Sequence, residues 1–212
     1  MSSPDLDFSV LPAVQSMSIF RGFDRDIERA MIAANLFDET LDRARGSVML
    51  LHNAPTGDET WRAEAYIRGG LAEFGAMGDA LSRDLHIASR IERPHAPLLS
   101  KNPLIHLLCA MRNVEIHTAP SKALSSKANV TLRHPDGSDS DSELPIVLIK
   151  DLRVARLLAK REVRRRYKRE HFEMIVEWFN EKQKVFGAPY LMGRGVEIYC
   201  SEILLTHAPL PT

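Results

Sequence analysis

A chain of 212 residues, 44% hydrophobic and 26% charged, has enough apolar material for a sizeable core and falls in the usual range of a single domain. Its formal net charge of zero argues against indiscriminate coating of nucleic acid, whose affinity rises with the number of phosphates neutralised. No apolar run reaches membrane-spanning length, and the opening MSSPDLDFSV lacks the basic start and apolar stretch of a secretory signal, so a cytoplasmic protein without a membrane partner is expected. Cys109 and Cys200 lie far apart and outside any Cys-x-x-Cys pair, which points to buried thiols rather than a disulfide or a structural zinc site. Charge is uneven: residues 1 to 100 carry 10 Lys plus Arg against 15 Asp plus Glu, and the remainder 18 against 13. A phosphate-bearing partner is therefore expected on the second half.

Residues 24–51 open with acids and keep apolar side chains at helical spacing, which predicts one long helix. Thr56-Gly57-Asp58-Glu59 supplies capping chemistry for a second. Along it Ile67, Leu71, Phe74, Gly78, Leu81 and Leu85 form one stripe, and Gly69, Gly70, Gly75 and Gly78 suggest close approach of a neighbour or a local bend. ERPHAPLLS reads as a connector. Asn102-Pro103 then provides an N-cap and a proline suited to the first helical position of a third helix, Pro103 to His117.

Val130 to Arg133 alternates as a strand, Pro135-Asp136-Gly137 reads as a turn, and Leu144 to Lys150 reads as the return strand, making a small hairpin insertion around 128–150. The polar SDSDSE between them reads as a mobile loop. From Asp151 to Phe186 a long helix is expected, basic at its start, with Val163, Tyr167, His171, Met174 and Trp178 on one stripe and Ile175 and Phe179 beside it. The Gly-rich GAPYLMGRGVEIYCSEILLTH reads as irregular chain followed by a short apolar strand or helix. The expected fold is mainly α: one domain, a bundle of about four main helices with a hairpin insertion.

The third helix carries most of the chemistry. With Leu104 at zero and about 100° per residue, Leu107, Leu108, Met111 and Val114 share one face; His106, Cys109, Ala110, Asn113 and His117 form a small-and-polar stripe opposite. Ile105 and Ile116 lie between these faces, so the helix is apolar on more than one side, as if a second copy of the chain packs there. Asn113 and His117 are one turn apart, whereas Arg112 lies about 140° around from His117. Convergence of Arg112 and His117 thus needs an unwound helix end or a two-fold dimer seam.

The stretch Arg112-Asn113-Val114-Glu115-Ile116-His117 is an arginine, a polar residue and a histidine at the end of a helix. It resembles the Arg-(four to six residues)-His motif of the HEPN superfamily, the higher eukaryotes and prokaryotes nucleotide-binding domains. The resemblance covers these six residues. It implies a HEPN-like helical bundle acting as a metal-independent endoribonuclease, usually a homodimer and often the toxin of a toxin–antitoxin or phage-defence system, with a cognate antitoxin or regulatory partner. Arg45 to His52, Arg90 to His95 and Arg164, Arg165 or Arg166 to His171 share the spacing, but only Arg112 is followed by asparagine at a helix end.

RNA brings its own nucleophile, the 2′-hydroxyl, so cleavage needs a base near neutral pKa and a cation for the charge developing on phosphorus. His117 is assigned the proton transfers, Arg112 the phosphate, and Asn113 the orientation of either; no metal or cofactor is expected. Arg164, Arg165, Arg166, Tyr167 and Lys168 form a candidate RNA track, with Tyr167 as a stacking aromatic. His106 is expected to be a seam histidine rather than a second catalytic group. The PD-(D/E)xK nuclease pattern fails because Leu148 stands where its acid is needed, and Gly193-Arg194-Gly195 is too short for a phosphate loop. The alternative is a non-catalytic helical module binding nucleic acid or a protein partner.

Overall fold

The structure, a computed structural model, describes residues 4–12, 22–85, 96–117, 122–134, 136–150 and 152–207, with the side chains of 96, 115–117 and 162 outside that description. It is mainly helical with one two-stranded antiparallel sheet. The chain runs α1 (Arg25–Ala34), α2 (Asp38–His52), α3 (Thr60–Asp84), α4 (Pro103–His117), β1 (Lys122–Arg133), β2 (Asp139–Lys150), α5 (Val154–Leu157), α6 (Arg161–Arg166), α7 (Arg169–Phe186) and α8 (Ala188–His207). Short 3-10 turns occupy Phe8–Val10 and Ala96–Leu99.

The helix expected over 24–51 is two helices. Asp24 caps α1 through Oδ1, which accepts from the Asp26 and Ile27 amides, and Asn35 ends it in the left-handed conformation at φ 50°. Asparagine enters that region at little cost. Phe37 is then buried and α2 starts afresh, its first amides capped from another helix: Asp84, at the end of α3, accepts from the Glu39 and Thr40 N–H groups and the Thr40 hydroxyl.

α4 follows the expected boundaries, whereas α3 begins at Thr60 with Glu59 at the N-cap making no side-chain bond, so the capping expected of residues 56–59 is not made. On α3, Ile67, Leu71, Phe74 and Leu81 are buried as the stripe requires. Gly70 marks closest approach to α2: a Cβ there would sit 2.6 Å from Leu51 Cγ and 3.1 Å from the Ser47 carbonyl, and Ser47 Oγ donates to the Gly70 carbonyl. Asn102 caps α4 by accepting from the Leu104 amide. This helix is the axis of the molecule, in contact with α3, α5, α7 and α8, and every residue from Asn102 to Met111 is buried. Ile105, read as a sign of a second copy, is covered within the chain itself. Ile116, the other residue of that expectation, has its side chain outside the described residues.

The hairpin is longer than expected and its polar run is strand. Ser138 sits in the turn, while Asp139 to Glu143 pair in β2 opposite Arg133 to Asn129. Alternating acids and hydroxyls find cross-strand partners there: Asp139 bonds Arg133, Asp141 accepts from Thr131, and Glu143 accepts from Lys127. At the base, Glu64 accepts from the Ala123 amide, and the Gln183 side-chain amide bonds both N–H and C=O of Ile149 as a strand would.

The single helix expected over 151–186 is three, α5 to α7, with Lys160, Tyr167 and Lys168 extended between them. The break shifts the phase: α7 buries Phe172, Ile175, Val176, Phe179 and Gln183, leaving Met174 on the surface instead of in the expected stripe. The Gly-rich tail is neither irregular nor strand but the long helix α8. Its glycines are contact points: a Cβ at Gly193 would meet the His52 ring of α2, and one at Gly195 would sit 2.7 Å from Leu108 of α4. Close packing on two neighbours overrides their poor helix propensity.

Candidate functional site

Arg112 and Asn113 lie where α4 emerges from the core, and both are half-buried. Arg112 Nη1 donates to Asn113 Oδ1 at 3.3 Å. The aliphatic part of Arg112 and its Nε lie over Gly75 of α3, where a Cβ would come within 2.7 Å of Nε. Nε is buried without a hydrogen-bond partner, and no described carboxylate pairs with this guanidinium. Arg45, which shares the motif spacing, differs in being tied to Glu28 and Asp42.

Beside Arg112 is a cavity of about 150 Å³ lined by Phe74, Gly75, Leu98, Cys109, Arg112 and Asn113. Burial pushes the Cys109 thiol up to about 12, opposed by the positive charges of Arg112 and Arg166. It is therefore a neutral wall of the cavity, not a thiolate nucleophile. A larger concavity, about 450 Å³, lies on the hairpin and is lined by Asn129, Val130, Thr131, Asp141, Ser142 and Glu143, with no cation among them.

His106 and Tyr167 are paired in the core. His106 Nε2 must donate to the Ser100 carbonyl (2.7 Å), so Nδ1 accepts from the Tyr167 hydroxyl (2.7 Å) and the ring is the neutral Nε2–H tautomer. Burial, then the Arg166 charge, oppose protonation of the imidazole, while the bond to the Ser100 carbonyl favours it; the net shift is downward. Burial raises the Tyr167 phenol in turn. His106 is thus a satisfied core histidine of one chain rather than a group at a seam between two. Tyr167, assigned to stacking on RNA, is only 8% exposed and packs edge-on against Phe172. The extended backbone at Tyr167 turns the ring inward, so it is corrected from an RNA platform to a core residue.

Arg164, Arg165 and Lys168 are exposed, as a phosphate track needs. Arg166 is half-buried, and its charge bears on both Tyr167 and Cys109. Two residues read separately, Arg112 and Arg166, therefore share one electrostatic neighbourhood. Sequence reasoning missed Phe74, Gly75 and Leu98 as cavity walls; the available signal was a glycine interrupting the apolar face of α3.

The His117 side chain falls outside the described residues, but α4 is helical through that position. Positions 112 and 117 thus remain about 140° apart around the axis, and the unwound-end route to convergence is not taken. Among the described residues there is no cluster of three or more His, Cys, Asp or Glu side chains suited to a metal, and no helix long and apolar enough to cross a membrane. Comparison with protein-family models, with curated proteins and with solved structures finds no match.

Proposed function

We propose that the chain is a metal-independent endoribonuclease of the HEPN type, with Arg112 on the scissile phosphate, Asn113 orienting it and His117 moving the proton. The observation that carries this reading is the Arg112 guanidinium: half-buried beside a cavity, one nitrogen without a partner, and no described carboxylate to neutralise it. Such a group is poised for an anion. In the reaction the 2′-oxygen attacks phosphorus and the 5′-oxygen leaves. The 2′-hydroxyl proton passes to a base and a proton is returned to the 5′-oxygen, giving a 2′,3′-cyclic phosphate and a 5′-hydroxyl end. Arginine stabilises the extra charge on the phosphorane oxygens, and histidine is suited to the proton transfers.

In this reading the arginine of one chain meets the histidine of another in a homodimer joined near the end of α4, an arrangement favoured by the about 140° between positions 112 and 117 on one helix. The helices around α4 serve as the HEPN-like bundle, with the hairpin as an insertion. Arg164, Arg165 and Lys168 extend the grip on RNA, and the biological setting is a cytoplasmic toxin or phage-defence effector held by a cognate antitoxin or regulator.

The test uses purified protein, labelled RNA and a chelator, with the ends identified by mass spectrometry. Cyclic-phosphate ends are expected. Arg112→Lys and His117→Ala should each lose at least about 100-fold in rate with unchanged melting temperature, the scale of a lost charge-stabilising or acid–base group. Unaltered cleavage in His117→Ala, or none by the parent over a broad RNA panel, removes this reading and leaves the non-catalytic module, in which Arg112 merely packs on Gly75.

A further inference from the structure

The cavity beside Arg112 has a size and lining that select a ligand. Its volume is about 150 Å³. A cavity of about 150 Å³ in a protein core is known to accept a single six-membered aromatic ring. Phe74 and Leu98 form apolar walls, Gly75 withholds a side chain from the α3 side, and the Cys109 thiol is uncharged. Among the described lining residues the one side-chain amide is Asn113. Its Oδ1 accepts from Arg112 Nη1, so the Nδ2 hydrogens are the part of the amide left to donate.

We propose that this cavity receives one pyrimidine base of the RNA, the base of the nucleotide whose 2′-hydroxyl attacks, so that cleavage falls on the 3′ side of C or U. This inference rests on the ribonuclease reading. Cytosine and uracil both carry a carbonyl oxygen at position 2, an acceptor for Asn113 Nδ2–H, and both are single rings. A purine adds a fused second ring beyond the single ring that a volume of about 150 Å³ accepts. The base and its own 3′-phosphate are separated only by the ribose, and Arg112 lines the same cavity, so a seated base brings that phosphate to the guanidinium.

Two readouts on the full chain test this. In the first, a randomised RNA pool is cleaved and the cyclic-phosphate 3′ ends are sequenced; C and U should exceed A and G by at least about tenfold, the scale on which a pocket discriminates by size. In the second, saturation-transfer NMR follows 3′-CMP, 3′-UMP, 3′-AMP and 3′-GMP without any cleavage. The pyrimidine nucleotides should bind, and Leu98→Trp, which fills the cavity, should abolish the signal. Asn113→Leu, at a half-exposed position, should weaken it if Leu98→Trp does not fold. Cleavage without base preference, or equal binding of all four nucleotides or of none, overturns the pyrimidine site. Selective pyrimidine binding with no cleavage of any RNA supports the site and overturns the ribonuclease reading alone.

Discussion

Replacing Gly75 with alanine separates the two roles open to Arg112. In a helix interior the change from glycine to alanine contributes about 1 kcal/mol of stability. Against it, the new methyl would lie 2.7 Å from Arg112 Nε and 3.3 Å from Cγ and Cδ, with no backbone atom among its nearest neighbours. Ordinary carbon contacts are about 3.5–4.0 Å, so the guanidinium must retreat by about 1 Å. Half-exposed, it can do so through its own torsions at a cost of about 0.5–1.5 kcal/mol. The two terms nearly cancel, and at roughly 2–4 °C per kcal/mol for a chain of this size the melting temperature should stay within about 4 °C of the parent. Misplacing a substrate-holding group by about 1 Å costs about 100-fold in rate, so RNA cleavage should collapse while the fold stands. Scanning fluorimetry and kcat/KM on one RNA substrate measure both. Full cleavage at unchanged melting temperature refutes the phosphate role; a fall of more than about 8 °C makes Arg112 a structural strut.

Gly70→Ala should behave differently, because its Cβ meets Leu51 and the Ser47 carbonyl in a fixed helix pair; a loss of about 2 kcal/mol by urea unfolding is expected, and a neutral or stabilising result would show the α2–α3 contact to be looser than described. Gln183→Leu strands the Ile149 N–H and C=O and should cost about 1–3 kcal/mol, while an unchanged midpoint would mean the hairpin base is held otherwise. His106 titrates lower in the folded chain than the ordinary 6.5, so the unfolded chain binds the extra proton first. Its contribution is present above pH 6.5 and lost as pH falls toward the depressed folded value; parent minus His106→Gln stability, followed from pH 8 to 5, should decline toward acid, and a flat difference would exclude burial of a neutral ring.

α3 and α4 were legible because their signals are local: Asn102 and Pro103 before an apolar run, and a 3.6-residue stripe from Ile67 to Leu81. The errors fall where a distant residue decides. Asp84 caps α2 from 44 residues away through Thr40, so the α1–α2 break carried only Asn35 as a local sign. Gly193 and Gly195 looked like loop because their partners, His52 and Leu108, belong to other helices. Tyr167 looked like a surface aromatic in a basic helix because nothing nearby in sequence shows its bond to His106. The Arg112–Asn113 pair was visible as neighbours, whereas the cavity draws Phe74, Leu98 and Cys109 from three separate elements.

Enclosure of α4 on every side also has a mechanical meaning. A rod gripped by α3, α5, α7 and α8 cannot slide or rotate without dismantling the core, so Arg112, at the point where it emerges, is an anchor of fixed position. Arg166 sits on a six-residue helix bounded by the extended residues Lys160 and Tyr167, a segment with little intrinsic helical stability. Of the two guanidiniums whose charge bears on Cys109, Arg112 is set by a helix packed against four others, and Arg166 by a short helix held through buried Val163 and Tyr167.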